Sequence, residues 1–462
     1  MLLPMSPVDS MFLLGESREH PMHVGGLAVF APPEGAGAPD VRAMFEDALA
    51  RDTVAPLLRK RARRSVTTLG QWGWEADTDI DLGHHVRYDA LPQPGGTTEL
   101  MTLVSRLHAS LLDRHRPLWE MHLIEGLTGG RYAIYIKIHH ALADGVAAMK
   151  LLRRTLSEDP DQREMPAPWE PHAAPAHPAP GPAGGRSPVE LPGAVLRAAR
   201  GAAAEVAGLV PALAGTVDRA LRHGGGSLTL TAPHTMLNVP ISGARQFAAR
   251  SWPLERLRLV AKHADATIND VVLAMCSGAL RTFLTGLGVL PENPLFAAVP
   301  VSLRAATDTA DGNAIGMLMC NLATHLPDPA HRLEVVRTTM REGKAALATM
   351  NPTQILAMSA LGASPIALGM LLGRGGPIRP PNILISNVPG PDAPQYWNGA
   401  RMDALYPLSI PVDGQALNIT CTSTDDQIAF GLTGCRRAVP RLQPMLGHLD
   451  DELGALETAV GL

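Results

Sequence analysis

Residues 131–139 read Arg-Tyr-Ala-Ile-Tyr-Ile-Lys-Ile-His, and their alternating β-branched and aromatic residues predict a strand. Residues 145–154 change to a helical period. Asp144 precedes them, where a carboxylate favours the positive end of a helix dipole. His139 and His140 are therefore expected at a strand-to-helix junction. Further along, residues 254–264, 268–284 and 329–347 carry helical patterns, and 294–301 and 382–387 read as strands. Residues 416–423 and 427–433 flank Asp425-Asp426 and predict a hairpin.

Two stretches interrupt these patterns. Residues 160–193 are crowded with proline, alanine and glycine and read as an extended linker, because so few aliphatic side chains cannot offset the entropy of ordering. Residues 195–221 place Arg197, Arg200, Asp218 and Arg219 among Ala, Leu and Val, as one or two amphipathic helices would, and three glycines follow at 224–226. The expected organisation is an N-terminal domain over 1–159, a linker with bridging helices over 160–237 and a C-terminal domain over 238–462. No charged residue falls between Lys344 and Arg374. Asn351, Pro352, Gly362 and Pro365 break that span into short pieces, which favours a buried or interfacial helix pair over a membrane crossing.

With 462 residues, 46% of them hydrophobic, the chain can fill two cores. Its formal charge of −4 provides no positive field for a phosphate polymer, so nucleic acid is excluded as a partner. Cys276, Cys320, Cys421 and Cys435 lie far apart, suiting neither a disulfide framework nor a zinc knuckle. The first residues lack the basic and apolar regions of a signal peptide. These features together lead to the expectation of a cytoplasmic protein.

The candidate chemistry lies in His139-His140-Ala141-Leu142-Ala143-Asp144-Gly145. A neutral imidazole is the side chain best able to take a proton from an attacking hydroxyl, an effect typically worth about 10²–10⁴ in rate. Consecutive residues leaving a strand point in different directions, so only one of the two histidines can address a given cavity. A metal held by His139, His140 and Asp144 is disfavoured, since adjacent histidines rarely share one ion and no second cluster has ligand spacing. No G-x-S-x-G elbow, P-loop or dinucleotide fingerprint occurs, which disfavours a covalent acyl-serine route.

The H-H-x-x-x-D-G string resembles that of the bacterial wax ester synthase/acyl-CoA:diacylglycerol acyltransferase family, within the superfamily of chloramphenicol acetyltransferase and condensation domains. Further strings carry the resemblance along nearly the whole chain: Ser6-Pro7-Val8-Asp9-Ser10-Met11-Phe12, Arg116-Pro117-Leu118-Trp119-Glu120, Asn269-Asp270, Val299-Pro300-Val301-Ser302-Leu303-Arg304 and Ser386-Asn387-Val388-Pro389-Gly390-Pro391. The resemblance implies an α/β (α+β) fold of two similar domains, each a mixed sheet flanked by helices, with an active-site tunnel at their interface. It implies fatty acyl transfer from acyl-CoA, a substrate rather than a cofactor, to diacylglycerol or a long-chain alcohol. His140 is then the general base.

The same resemblance implies that Asp144 points away from the cavity and pairs with an arginine, Arg304 being the candidate, while Gly145 allows close backbone approach. Asn269 is a candidate oxyanion donor, although the Asn269-Asp270 pair reads equally well as a helix-starting signal. Trp119 and Pro117 read as core and turn residues. Two rival functions remain: a superfamily transferase acting on another hydroxyl or an amine, and a weakly active lipid-binding or lipid-body protein. The apolar stretches also suggest peripheral contact with a membrane or lipid inclusion.

Overall fold

A computed structural model describes residues 3–65, 70–171, 232–302, 315–350, 354 and 380–462. The alternating 131–139 segment forms the strand Tyr132–His139. Labelled in chain order, the first part comprises β1 (Leu3–Pro4), α1 (Pro7–Gly15), β2 (His23–Ala31), α2 (Ala38–Ala50), β3 (Lys60–Arg64), β4 (Trp72–Ala76), α3 (Leu82–His85), β5 (Val86–Ala90), α4 (Thr97–Ala109), β6 (Trp119–Glu125), β7 (Tyr132–His139) and α5 (Gly145–Thr155). The second part comprises β8 (Arg245–Pro253), α6 (Leu254–His263), α7 (Ile268–Gly286), β9 (Phe296–Ser302), β10 (Ile315–Asn321), α8 (Pro329–Ala348), β11 (Ile383–Val388), β12 (Tyr396–Trp397), β13 (Ala400–Leu408), β14 (Leu417–Thr424), β15 (Gln427–Cys435) and α9 (Gln443–Ala459).

Two six-stranded mixed sheets organise the molecule, in the orders β12-β13-β2-β7-β6-β5 and β10-β9-β11-β14-β15-β8. In the first, β7 lies antiparallel to both β2 and β6, with His139 opposite His23, while β5 runs parallel to β6. In the second, β11 is parallel to β9 and β14, and β14–β15 is the expected hairpin, turning at Asp425 with φ +51°. A small sheet, β1-β4-β3, stands beside α1.

The cores follow from which faces the helices cover. Leu257, Val260, Leu273, Leu280, Leu333, Val336, Leu449 and Leu453, from α6 to α9, pack on the second sheet through Val299, Ile385, Ile419 and Phe430. On the first sheet, Phe45 of α2 and Met149 of α5 share a core with Phe30, Met121, Leu123 and Ile134. The opposite face buries Leu100 and Val104 of α4 with Ala133 and Tyr135, and this cluster continues into Phe247 and Ala249 of β8. Both sheets thus meet around α4, where the Phe247 amide donates to Ser105 Oγ at 2.9 Å.

Two features depart from the sequence reading. β12 and β13, from the C-terminal part of the chain, complete the first sheet, Tyr406 standing opposite Leu27. The alternation in β13 is broken by a register shift between Met402 and Ala404, so a two-residue period does not reveal the strand. The opening of the expected linker is also ordered: Met165, Ala167 and Trp169 are buried, the Ala55 amide donates to the Trp169 carbonyl, and Arg51 pairs with Glu170 at 2.9 Å. Met165 and Trp169 suffice to anchor a segment that composition marked as extended. Residues 195–221 lie outside the described residues, as does the uncharged span after Met350 apart from Gln354.

Candidate active site

β7 ends at His139, and the chain turns sharply before α5. The carbonyl of His139 accepts from the amides of Leu142 and Ala143, at 2.8 and 3.2 Å. The two histidine amides are held separately, that of His139 donating to the Leu118 carbonyl and that of His140 to the Met22 carbonyl. Asp144 then caps α5, its carboxylate accepting from the Ala147 amide at 2.7 Å. This is the expected junction.

The histidine rings meet different surroundings. His139 is fully buried, and its Nδ1 accepts from the Ala141 amide at 3.1 Å. Its Nε2 stands 3.4 Å from Glu16 Oε1, a close electrostatic contact without hydrogen-bond alignment. Glu16, just past the end of α1, is held from its other side by Arg114 Nε at 2.8 Å, and Arg114 also donates to the carbonyls of Leu13 and Glu16. Burial alone would raise the Glu16 carboxyl, but contacts with His139 and Arg114 outweigh it and keep the group below its ordinary value.

His140 is only partly buried, and its ring stacks on Phe12 of α1 at a centroid distance of 4.1 Å and an angle of 21°. Its Nδ1 is enclosed without a hydrogen-bond partner. Desolvation pushes the imidazole below its ordinary pKa, against the pull of the Asp144 and Asp9 carboxylates and with a further push from His139. The ring is consequently neutral at pH 7, the form that accepts a proton.

The other expected positions are met unevenly. Gly145 opens α5, and a Cβ built there would meet no protein atom within 4 Å, so the glycine leaves open space at the helix start. Arg304, the expected partner of Asp144, lies outside the described residues. Asp270 completes a capping box with Thr267 at the start of α7, which accounts for that residue as a helix-starting signal. Asn269 stands in the first turn of the same helix. Trp119 is buried and donates from Nε1 to the Leu58 carbonyl, as a core residue.

Sequence reasoning did not single out Phe12, Glu16, Arg114 or the buried Lys137. Phe12 stood inside the Ser6–Phe12 string, yet nothing local indicates that it covers a residue more than a hundred positions away. Lys137 Nζ pairs with Glu120 Oε2 at 3.0 Å and donates to the carbonyls of Leu107 and Ser110, tying β7 to β6 and to the end of α4. Contacts with His122 and Lys137 overcome the burial that would raise Glu120 and pull it down to about 2.

The family model described as the wax ester synthase/diacylglycerol acyltransferase catalytic domain matches residues 5–272, and that of the family's C-terminal domain matches 311–457. A Mycobacterium bovis protein assigned as a diacylglycerol O-acyltransferase is 56% identical over 99% of this chain and 91% of its own. The structure of a wax ester synthase/diacylglycerol acyltransferase from Marinobacter aquaeolei VT8 is 39% identical, covers 100% of both chains and superposes with a TM-score of 0.79. The first condensation domain of the calcium-dependent antibiotic synthetase, 16% identical with a TM-score of 0.59 over 100% of this chain and 96% of its own, shares the fold. A histidine pair at the end of a central strand, on a fold matched from end to end, thus places this chain in the wax ester synthase/diacylglycerol acyltransferase family of O-acyltransferases.

Proposed function

We propose that the protein transfers a long-chain fatty acyl group from acyl-CoA to the hydroxyl of a diacylglycerol or long-chain alcohol, with His140 as general base. The observation that carries this reading is the contrast between the two imidazoles: His139 is enclosed beside Glu16, whereas His140 is partly open, neutral and next to the unfilled start of α5. His140 takes the hydroxyl proton as the oxygen attacks the thioester carbonyl, and the coenzyme A thiolate leaves. With a thiol pKa of about 8.5, that leaving group needs no strong acid. Asn269 is retained as a candidate oxyanion donor. Asp144 holds the turn in shape and keeps a negative charge near the imidazole.

The test is incubation of purified protein with palmitoyl-CoA and, separately, diacylglycerol and hexadecanol, following thiol release and neutral lipid. His140→Ala should fold normally and lower turnover by about 10²–10⁴. Near-normal turnover in that variant with both acceptors would remove His140 from the mechanism. Mass spectrometry after acyl-CoA alone should show no stoichiometric acyl adduct, because transfer is direct.

We also propose peripheral contact with a membrane or lipid inclusion. No helix among the described residues is long and apolar enough to cross a membrane, while Met11 and Leu14 of α1 are 54% and 61% exposed. Co-flotation with lipid vesicles should survive high salt, since apolar burial is unscreened. Full release by salt would contradict the apolar contact.

A further inference from the structure

β3 reads Lys60-Arg61-Ala62-Arg63-Arg64, and its alternation buries Ala62 while sending Arg61 and Arg63 to one face. Both arginines reach the same carboxylate, Glu75 of β4, at 2.7 and 2.9 Å. The guanidinium of Arg64 lies 4.5 Å from the ring centroid of Trp72. A cleft of about 230 Å³ opens against this strand, lined by Arg61, Ala62, Arg63, Arg114 and His115. Three guanidinium groups border it. Three carboxylates answer them, Glu75, Asp77 near Arg61, and Glu16, whose side chain is 1% exposed and also engaged with His139. Arg61 Nε is enclosed with no hydrogen-bond partner, and the Arg63 side chain remains 57% exposed.

The position of the cleft matters as much as its charge. Arg114 borders it and grips Glu16 and the end of α1, the helix that stacks Phe12 on His140. β1, the other edge of the small sheet, runs directly into the same helix. A ligand in the cleft therefore sits at the end of a short chain of contacts that leads through Glu16 to the histidine pair. Guanidinium forks match phosphate oxygens in geometry and charge, and a donor whose thioester and phosphates lie at opposite ends can be anchored far from the reacting carbonyl.

Resting on the acyl-CoA reading above, we infer that the Arg61–Arg63–Arg114–His115 cleft binds the phosphate groups of the coenzyme A donor. The experiment compares palmitoyl-CoA with palmitoyl-pantetheine, which carries the same thioester and no phosphate. Arg63→Ala, at an exposed position, should raise KM for palmitoyl-CoA by about tenfold relative to KM for palmitoyl-pantetheine, and Arg61→Gln/Arg63→Gln should raise the ratio further. Arg258→Ala on α6, a similarly exposed arginine far from the cleft in sequence, serves as the charge-matched control. Calorimetry with adenosine 3′,5′-bisphosphate gives a reading independent of turnover, and its affinity should fall in parallel. An unchanged ratio and unchanged nucleotide affinity in folded variants would overturn the inference while leaving the acyl transfer intact. Loss of binding to phosphatidylglycerol vesicles with both quantities unchanged would assign the cleft to lipid headgroups and overturn it equally. If the parent transfers from neither donor, the acyl-CoA reading itself fails, and calorimetry alone decides whether the cleft holds the nucleotide phosphates.

Discussion

Asp144 shows how one side chain can serve two ends that substitution can separate. It caps α5 through the Ala147 amide, and its charge raises the pKa of His140 against the desolvation that lowers it. Asn caps a helix about as well as Asp but carries no charge. Asp144→Asn should therefore lose little stability and move the acid limb of kcat/KM to lower pH, because activity requires neutral His140 and removing the carboxylate depresses the imidazole further. Asp144→Ala should lose the cap as well, at about 1 kcal/mol, and melt at lower temperature. Identical pH profiles for parent and Asn variant would show that the carboxylate does not act on His140. The junction itself, and Asp144 before the helix, were legible in the sequence from the change of period at residue 139. That His139 is the enclosed ring was not, because Glu16 and Arg114 are distant in sequence.

At the scale of elements, β6 and β7 are joined by more than their ladder. Lys137 and Glu120 stand opposite each other in register and form a buried pair, with Arg87 3.4 Å from the other Glu120 oxygen and Lys137 reaching the last carbonyls of α4. Removing one charge leaves the other uncompensated in a poorly solvated place, which costs about 3–5 kcal/mol. Glu120→Gln should fall in that range in urea unfolding, and Glu120→Gln with Lys137→Gln should lose less than the sum of the single changes. A loss below about 1 kcal/mol for Glu120→Gln would mean that water or backbone carbonyls already satisfy Lys137. The pattern identified β7 as a strand but did not reveal how deeply Lys137 is buried. α4 covers the face that Lys137 shares with Ala133 and Tyr135, so its ammonium is enclosed with those side chains.

For the whole molecule, the seam around α4 makes folding sensitive to acid. His108 accepts from the Tyr135 hydroxyl at Nδ1 and donates from Nε2 to the Ser409 carbonyl, while His23 Nε2 donates to the His108 carbonyl. Burial drives His108 down to about 3 and His23 well below its ordinary value. Above about pH 6.5 neither residue is protonated in folded or unfolded chains, and neither affects stability. As pH falls below that value the unfolded chain takes up protons that the folded one refuses, and stability declines by about 1.4 kcal/mol per pH unit for each such group. His122 works in the opposite sense, its pKa being raised by Asp89 and Glu120 over the effect of burial, but His84, His85, His140 and His325 are lowered by burial as His23 and His108 are, so the decline with acid prevails. The melting temperature should therefore drop between about pH 7 and about pH 5. His108→Gln, which can still accept and donate, should flatten the decline; an unaltered slope would exclude His108 as its source.

The sequence by itself determined the local elements: the strand into the histidine pair, the acid at Asp144 before a helix, the helices starting at Leu254, Ile268 and Pro329, and the hairpin at Asp425. Each follows from a period or a turn residue that acts over a few positions. It also carried the family resemblance, since the matching strings keep their order along the chain. Only the tertiary structure decided that β13 completes the first sheet, that Met165 and Trp169 anchor the start of the linker, that Phe12 covers His140, and that Glu16 and Arg114 enclose His139. These are contacts between residues far apart in sequence, set by which faces the two sheets leave to be buried, and no local periodicity contains that information.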